Sequence, residues 1–216
     1  MDRELAKRLA VDRIVPVAIV DDVASVPGLV GALSEAGVRQ LEITFRTPVA
    51  ATAISAARRL APELLVLAGT VLEEEQLDQA VAAGAQGIVS PTLNPSILEK
   101  SRILSVPMIP GVATPSETDY ARRLGLTLVK TFPSEPLGGA AFNRALHSVF
   151  PTMGFVPTGG ITLTNLHTYA AVDGVIACGM TEIAPRELIQ AGEFAEIVRR
   201  CVAAKSIMAS PRASIR

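Results

Sequence analysis

The chain has 216 residues, of which 49% are hydrophobic, and its formal net charge is −1. A near-neutral charge argues against nucleic acid or an anionic membrane surface as a partner. No apolar run reaches the ~18 residues needed to span a bilayer, and the charged first residues lack the apolar segment of a signal peptide. Cys178 and Cys201 are too few for a disulfide framework. These features predict a cytoplasmic protein, with residues 1–216 as one domain.

A repeating unit runs through the sequence: an Ala-rich amphipathic helix ends in a glycine, and a short apolar strand follows at once. Gly37, Gly84 and Gly125 mark three clear copies. Glycine suits the residue that ends a helix, and so short a connection is typical of parallel α/β folds. The predicted strands are 14–20, 40–44, 64–68, 87–90, 108–110, 127–130, 154–157 and 174–178. The predicted helices between and after them are 25–36, 50–60, 73–83, 95–104, 115–124, 138–149, 164–170 and 193–204.

Strands and helices that alternate about every 25 residues predict a (β/α)8 TIM barrel. Residues 1–12 add an N-terminal helix, which we expect to cover the barrel floor. The polar residues 206–216 are expected to form a frayed tail.

One lysine stands out, because Lys130 ends an apolar strand while the other three lysines lie in polar, helical-looking surroundings. An ammonium group loses several kcal/mol of hydration in a buried strand. A lysine in that environment can give up its proton and act as a nucleophile. The alternative is an edge-strand lysine whose ammonium reaches water.

In such barrels, catalytic residues lie at the carboxyl ends of the strands and in the loops that follow. Charged residues are scarce there. Glu42 and Arg46 come from the second strand and the loop after it, and Lys130 comes from the end of the sixth. An acid, a guanidinium and an amine at one opening favour a catalytic site. A buried Glu42–Lys130 ion pair and a surface Arg46 are the structural alternatives.

A second signal is Gly159-Gly160, which precedes a helix beginning near Thr162. Two glycines expose backbone N–H groups, and a helix start adds positive potential, so the pattern suits an anion. Gly179-Met180-Thr181, after the eighth strand, would form the other half of the site. No His, Cys, Asp or Glu cluster has metal-ligand spacing, so neither a metal nor a cofactor is expected.

Five stretches resemble the 2-keto-3-deoxy-6-phosphogluconate aldolases, a family that includes the 2-keto-3-deoxy-6-phosphogalactonate and 4-hydroxy-2-oxoglutarate aldolases. They are 41–47 (LEITFRT), 68–72 (AGTVL), 107–114 (PMIPGVAT), 130–135 (KTFPSE) and 157–161 (PTGGI). The resemblance is collinear from about residue 14 to residue 184. It implies a metal-free class I aldolase that acts on a small 2-keto acid and assembles as a homotrimer of (β/α)8 barrels.

The resemblance also implies roles for particular residues. Lys130 matches the Schiff-base lysine, and Glu42 matches the proton-shuttling glutamate. Arg46 matches the arginine that holds the pyruvate carboxylate. The remaining substrate-binding matches are Gly69 and Thr70 beside that carboxylate, Thr158 near the reacting carbons, Pro91 and Phe132 on the pocket wall, and Gly159, Gly160, Gly179 and Thr181 around the phosphate. The implied reaction cleaves a 2-keto-3-deoxy-6-phospho sugar acid to pyruvate and glyceraldehyde 3-phosphate.

Two departures from the family pattern concern the phosphate end of the substrate. Met180 replaces a glycine of the usual Gly-Gly-Ser and is expected to narrow the pocket. Asp21-Asp22 follows the first strand and is expected to repel a phosphate. The alternative substrate is therefore 4-hydroxy-2-oxoglutarate, cleaved to pyruvate and glyoxylate, with oxaloacetate decarboxylation as a side activity.

Two readings of other classes stay open. One is a phosphosugar isomerase or epimerase on the same barrel, with Glu42 as base and Lys130 as an electrostatic group. The other is a binding barrel without catalytic activity.

Overall fold

The computed structural model describes residues 2–209. Its strands are β1 (Ile14–Ala18), β2 (Gln40–Thr44), β3 (Leu65–Gly69), β4 (Gly87–Val89), β5 in two segments (Met108–Ile109 and Gly111–Val112), β6 (Leu128–Thr131), β7 (Gly154–Phe155) and β8 (Cys178–Met180). Its helices are α1 (Asp2–Asp12), α2 (Val26–Glu35), α3 (Ala50–Leu60), α4 (Glu74–Ala82), α5 (Pro95–Ile103), α6 (Pro115–Arg123), α7 (Gly139–Val149), α8 (Leu166–Ala170), α9 (Arg186–Ala191) and α10 (Phe194–Ala209).

The strands close into a parallel barrel. One run of hydrogen-bonded strands goes from the first segment of β5 through β4, β3, β2 and β1 to β8, and a second goes from the other β5 segment through β6 to β7. Two parallel bridges, Phe155–Val175 and Thr158–Gly179, join β7 and the residues after it to β8 and the residues before it, which completes the ring. The (β/α)8 prediction is therefore confirmed.

Two apolar layers pack against the strands, one inside the barrel and one outside it. The layer inside the barrel contains Val15, Leu65, Leu67, Val89, Ile109, Leu128, Val156 and Ala177, together with Leu5 and Leu9 of α1. The larger layer lies between the strands and the outer helices. Leu9 is fully buried, which contributes about 1.5–3 kcal/mol of hydrophobic free energy. Helix α1 thus covers the amino-terminal end of the barrel, as expected for the floor.

The chain's end and its eighth strand differ from the sequence prediction. Helix α10 continues through Ala209, past the expected start of a frayed tail at Ser206, because Met208 is buried in the outer core. Residues 210–216 of that expected tail lie outside the described residues. Strand β8 was predicted at 174–178 but spans Cys178–Met180, because only Val175 of the earlier stretch pairs with β7.

Among residues 2–209, no helix combines the length and apolar character that crossing a bilayer requires.

Candidate active site

The inward face of β2 is polar, unlike that of its neighbours. Leu41 and Ile43 pack in the outer layer, so alternation along the strand turns Gln40, Glu42 and Thr44 into the barrel. Gln40 lies nearest the floor, where its Nε2 donates to Leu9 O at 3.2 Å. Glu42 therefore sits one pleat above the floor, with its carboxylate inside the barrel.

The same alternation places Lys130 inside the barrel, because Leu128 is an interior residue and Val129 an outer one. Lys130 Nζ lies 3.5 Å from Glu42 Oε1, and the side chains are only 5% and 4% exposed. The ammonium also lies 5.3 Å from the centroid of the Phe132 ring. Lys130 and Glu42 therefore form the buried ion pair that the sequence offered as a structural alternative.

Burial makes this pair costly. Desolvation costs several kcal/mol per ion, and only good geometry with further hydrogen bonds offsets it. Yet Glu42 Oε1 accepts no hydrogen bond from any described residue. A buried carboxylate that lacks hydrogen bonds adds little to stability, even beside a lysine. Such groups concentrate at functional sites.

Two glycines make room for the inward-facing polar groups. A Cβ at Gly69, which ends β3, would lie 2.6 Å from Glu42 Cγ and 2.7 Å from Cδ. A Cβ at Gly179 would lie 3.0 Å from Thr158 Cγ2 and closer still to its hydroxyl oxygen. Both glycines are therefore required by the side chain across from them.

The loops beyond the strands carry the other predicted pocket residues. Thr70 is half-buried and adopts a positive φ of 57° directly after Gly69. Pro91 is half-buried after β4, and its carbonyl packs so closely on Gly111 that a side chain there would overlap it. Phe132 precedes Pro133 through a cis peptide bond. Its ring borders Gly159, where a Cβ would lie 3.3 Å from Phe132 Cε2.

Arg46 and Thr181 lie at the rim and are exposed. Neither makes a side-chain hydrogen bond or ion pair with another residue in the described range 2–209. The structure thus brings Lys130 and Glu42 together but gives the Arg46 guanidinium no partner among residues 2–209.

The Gly159-Gly160 turn has the open backbone expected of an anion site. Both glycines have positive φ, 99° and 79°, and neither amide N–H donates to a described residue. Gly179 differs, because its N–H donates to Pro157 O at 2.9 Å within the barrel. Any effect of Gly179 on a ligand would therefore act through the space it leaves for Thr158.

The expectation that Met180 narrows the pocket is wrong. Met180 belongs to β8, where it pairs with Pro16 of β1. Its side chain is fully buried and packs in the outer layer, away from the barrel interior. The reason is that β8 extends through Met180, so alternation along the strand turns Ala177 and Gly179 into the barrel and Met180 outwards.

Asp21, which was expected to repel a phosphate, has its own cationic partner in the structure. Arg186 binds both carboxylate oxygens, with Nε at 2.7 Å and Nη2 at 2.5 Å, and Gln190 Nε2 donates at 2.8 Å. The Arg186 hydrogen bond lowers the pKa of Asp21. Asp22 caps a short 3-10 turn through Ala24 N at 2.9 Å. The charge of Asp21 is thus balanced by Arg186 at the start of α9.

The sequence reasoning missed four polar residues behind the site: Ser134, Glu135, Asn143 and Tyr169. They hydrogen-bond to one another in a continuous chain. Asn143 is fully buried and falls on the apolar stripe of α7 with Leu146, at helical spacing. A polar residue on such a stripe was the available signal.

Other candidate chemistries find little support in the described part of the chain. Burial raises the pKa of the Cys178 thiol to about 12, so it remains protonated and a poor nucleophile. No group of three or more His, Cys, Asp or Glu residues between 2 and 209 is arranged to hold a metal ion. A cavity of about 670 Å³ lies at the floor, lined partly by Lys7, Leu128 and Ile176, on the opposite side from Lys130.

Fold and site together define a (β/α)8-barrel protein with a buried lysine–glutamate pair inside its barrel. The family model of KDPG and KHG aldolases matches residues 5–200. This chain therefore belongs to the KDPG and KHG aldolase family.

Individual relatives agree with that assignment. A 2-dehydro-3-deoxy-phosphogluconate aldolase of Treponema pallidum is 44% identical over 185 residues, covering 86% of this chain and 88% of the relative. A structure of the Legionella pneumophila KDPG aldolase, with pyruvate captured as a covalent carbinolamine, is 33% identical with a TM-score of 0.88, covering 92% and 97% of the two chains. A Zymomonas mobilis ZM4 enzyme with 3-phosphoglycerate is 32% identical with a TM-score of 0.89, covering 100% of both.

Proposed function

We propose that this protein is a class I aldolase that cleaves a 2-keto-3-deoxy-6-phospho sugar acid to pyruvate and glyceraldehyde 3-phosphate. The observation that carries the proposal is the buried Lys130–Glu42 pair, with Nζ and Oε1 3.5 Å apart. A lysine amine and an adjacent acid–base group are the two components that Schiff-base chemistry requires.

The reaction begins with the neutral amine of Lys130, which adds to the C2 ketone of the substrate. Glu42 accepts the proton released from nitrogen and returns one to the C2 hydroxyl, so that water leaves and an iminium forms. The Phe132 ring beside Nζ attracts the cationic form by cation–π interaction.

The iminium then serves as the electron acceptor for bond cleavage. A base takes the proton of the C4 hydroxyl, the C3–C4 bond breaks, and its electron pair moves into the iminium to give an enamine. The aldehyde departs, C3 is protonated, and water adds to C2 to release pyruvate. Glu42, relayed by water, supplies the base and the acid in this scheme, and Thr158 lies near the reacting carbons.

Binding groups at the rim orient the substrate. Arg46, unpaired within the described range, holds the pyruvate carboxylate by a bidentate contact, next to the Gly69-Thr70 turn. Pro91 and Phe132 form the apolar wall. The amide N–H groups of Gly159 and Gly160 bind the phosphate with the Thr181 hydroxyl, while Gly179 maintains the position of Thr158.

One observation keeps 4-hydroxy-2-oxoglutarate as a second candidate substrate. Glu182, next to Thr181, accepts a hydrogen bond from Leu163 N at 2.5 Å and so adds a negative charge beside the anion turn. 4-Hydroxy-2-oxoglutarate ends in a carboxylate at C5, so this shorter substrate brings no C6 phosphate to that charge. Turnover of phosphorylated against unphosphorylated 2-keto-3-deoxy acids distinguishes the two, because equal rates would contradict a phosphate role for Gly159-Gly160.

Borohydride reduction in the presence of pyruvate tests the reaction class. We expect a covalent pyruvyl adduct on Lys130, detected by mass spectrometry, and loss of both adduct and pyruvate release in Lys130→Ala. Lys100→Ala is the matched control, because Lys100 lies on the outer helices, where it pairs with Asp78 and Glu74. An isomerase or epimerase would form no adduct, and a silent binding barrel would show ligand-induced stabilisation without turnover.

The proposal also includes the organisation of the protein. Family membership supports a homotrimer of one-domain chains that works in the cytoplasm on a small 2-keto acid. Sedimentation equilibrium tests the trimer, and a monomer active at full rate would contradict it.

A further inference from the structure

A buried hydrogen-bond chain runs behind the proposed site and touches two of its parts. It starts at Thr131, the residue after Lys130, whose Oγ1 donates to Asn143 Oδ1 at 2.7 Å. Asn143 Nδ2 donates to Ser134 Oγ at 3.0 Å, and Ser134 Oγ lies 3.1 Å from Tyr169 OH. The Tyr169 hydroxyl donates to the Glu135 carboxylate.

The directions of these hydrogen bonds follow from their partners. Gly139 O, which can only accept, lies 2.9 Å from Asn143 Nδ2, so the amide nitrogen must face it and the amide oxygen must face Thr131. The Glu135 carboxylate accepts the hydrogen bond of the Tyr169 hydroxyl, so Ser134 Oγ donates to Tyr169 OH. Each hydroxyl then donates once, and the chain ends on a negative charge, an arrangement in which the bonds reinforce one another.

One end of this chain holds the strand that carries Lys130. Alternation turns Thr131 away from the barrel interior and towards α7, where Asn143 is fully buried. Fixing the outward side chain of Thr131 limits rotation of the adjoining backbone, and with it the direction in which Lys130 projects.

The other end supports the Gly159-Gly160 turn. Glu135 N donates to Gly159 O at 3.0 Å, and Ser134 N donates to Thr158 O at 2.8 Å. The Glu135 side chain fills the space beside the turn, where a Cβ at Gly160 would lie 2.7 Å from Glu135 Cβ. Tyr169 holds that side chain in place, and burial raises the pKa of Tyr169, as does the Glu135 hydrogen bond, so the phenol remains a donor.

We propose that Thr131 and Tyr169 are positioning residues that, through Asn143, Ser134 and Glu135, set Lys130 and the Gly159-Gly160 turn relative to each other. This inference rests on the proposed function, in which the substrate's ketone and phosphate must reach both places at once. The hydrogen-bond chain touches no reacting atom and acts only by setting where Lys130 and the turn lie. The rate of a reaction between two bound groups depends strongly on their distance and orientation.

Thr131→Val and Tyr169→Phe remove one hydroxyl each at nearly constant shape. We expect Thr131→Val to slow exchange of the pyruvate methyl protons with deuterated solvent about tenfold, because misaiming Lys130 hampers enamine formation. We expect Tyr169→Phe to leave that exchange within twofold and to raise KM for the phosphorylated substrate about tenfold. Thr131→Ser, which keeps the hydroxyl, should restore exchange, and Tyr120→Phe on the exposed face of α6 is the matched tyrosine control.

Active sites are counted in every variant by borohydride trapping with pyruvate, so that loss of folded protein is not read as loss of rate. Equal effects of Thr131→Ser and Thr131→Val, or unchanged exchange and KM per active site in both hydroxyl deletions, would overturn the inference and leave a purely structural network. Absence of the adduct in the wild-type protein would instead overturn the proposed function, and this inference with it.

Discussion

Replacing Gly69 by alanine should disable the site without unfolding the barrel. The added Cβ would lie 2.6 Å from Glu42 Cγ and 2.7 Å from Cδ, whereas ordinary contacts begin at 3.4 Å. The Glu42 side chain must therefore move by roughly 1 Å or adopt another rotamer, since it has little free space in the barrel. Either change separates its carboxylate from Lys130, and a misplacement of that size costs on the order of 100-fold in rate.

The same overlap sets the cost in stability. Overpacking a buried site costs about 1–3 kcal/mol, against a typical domain stability of about 5–15 kcal/mol. We therefore expect Gly69→Ala to remain folded, with a lower unfolding temperature and about 1% of the wild-type turnover. Pyruvate release coupled to lactate dehydrogenase measures turnover, and circular dichroism follows unfolding.

Gly31 provides the matched control for this substitution. It lies in the exposed face of α2, where an added Cβ meets no atom within 4 Å. Gly31→Ala should keep full activity and gain about 0.5–1 kcal/mol of stability, because alanine favours a helix interior. Turnover of Gly69→Ala within threefold of wild type would refute the role assigned to the position of Glu42.

Two further predictions concern other contacts of the site. Gly179→Ala should push Thr158 aside, since its Cβ would lie 3.0 Å from Thr158 Cγ2, and we expect kcat/KM to fall about tenfold; an unchanged value would show that Thr158 does not position the substrate. Asp21→Asn should lower the unfolding temperature slightly near pH 7, because Asp21 loses its Arg186 ion pair. The pKa of Asp21 is lowered in the fold, so the difference from wild type should persist above pH ~4 and disappear as the pH falls through that lowered pKa. A difference unaffected by acid or by salt would contradict an electrostatic origin.

Local signals in the sequence determined the repeating architecture. Apolar strands, amphipathic helices and the glycines between them are recognisable over short windows, and each element depends mainly on its own residues. The same windows singled out Lys130, because a lysine after an apolar run is unusual wherever the strand packs. The β2 bounds of Gln40–Thr44 were predicted as observed.

Only the tertiary structure decided which side chains share a space. The family resemblance marked Gly69 and Gly179 as substrate-binding residues, but only the structure shows that each makes room for a side chain of another strand or loop, Glu42 and Thr158 respectively. The Asp21–Arg186 pair joins residues 165 positions apart, which no local pattern reveals.

The direction of side chains at β8 was likewise settled by strand pairing. The sequence predicted a strand over 174–178 with Met180 in the loop beyond it, whereas Cys178, Gly179 and Met180 pair with β1. A strand's side chains alternate between faces, so its pairing determines which residue enters the barrel. The order of apolar, helical and glycine segments along the sequence determined that this chain forms a barrel with a lysine at one strand end, and the register of its strands determined which side chains surround that lysine.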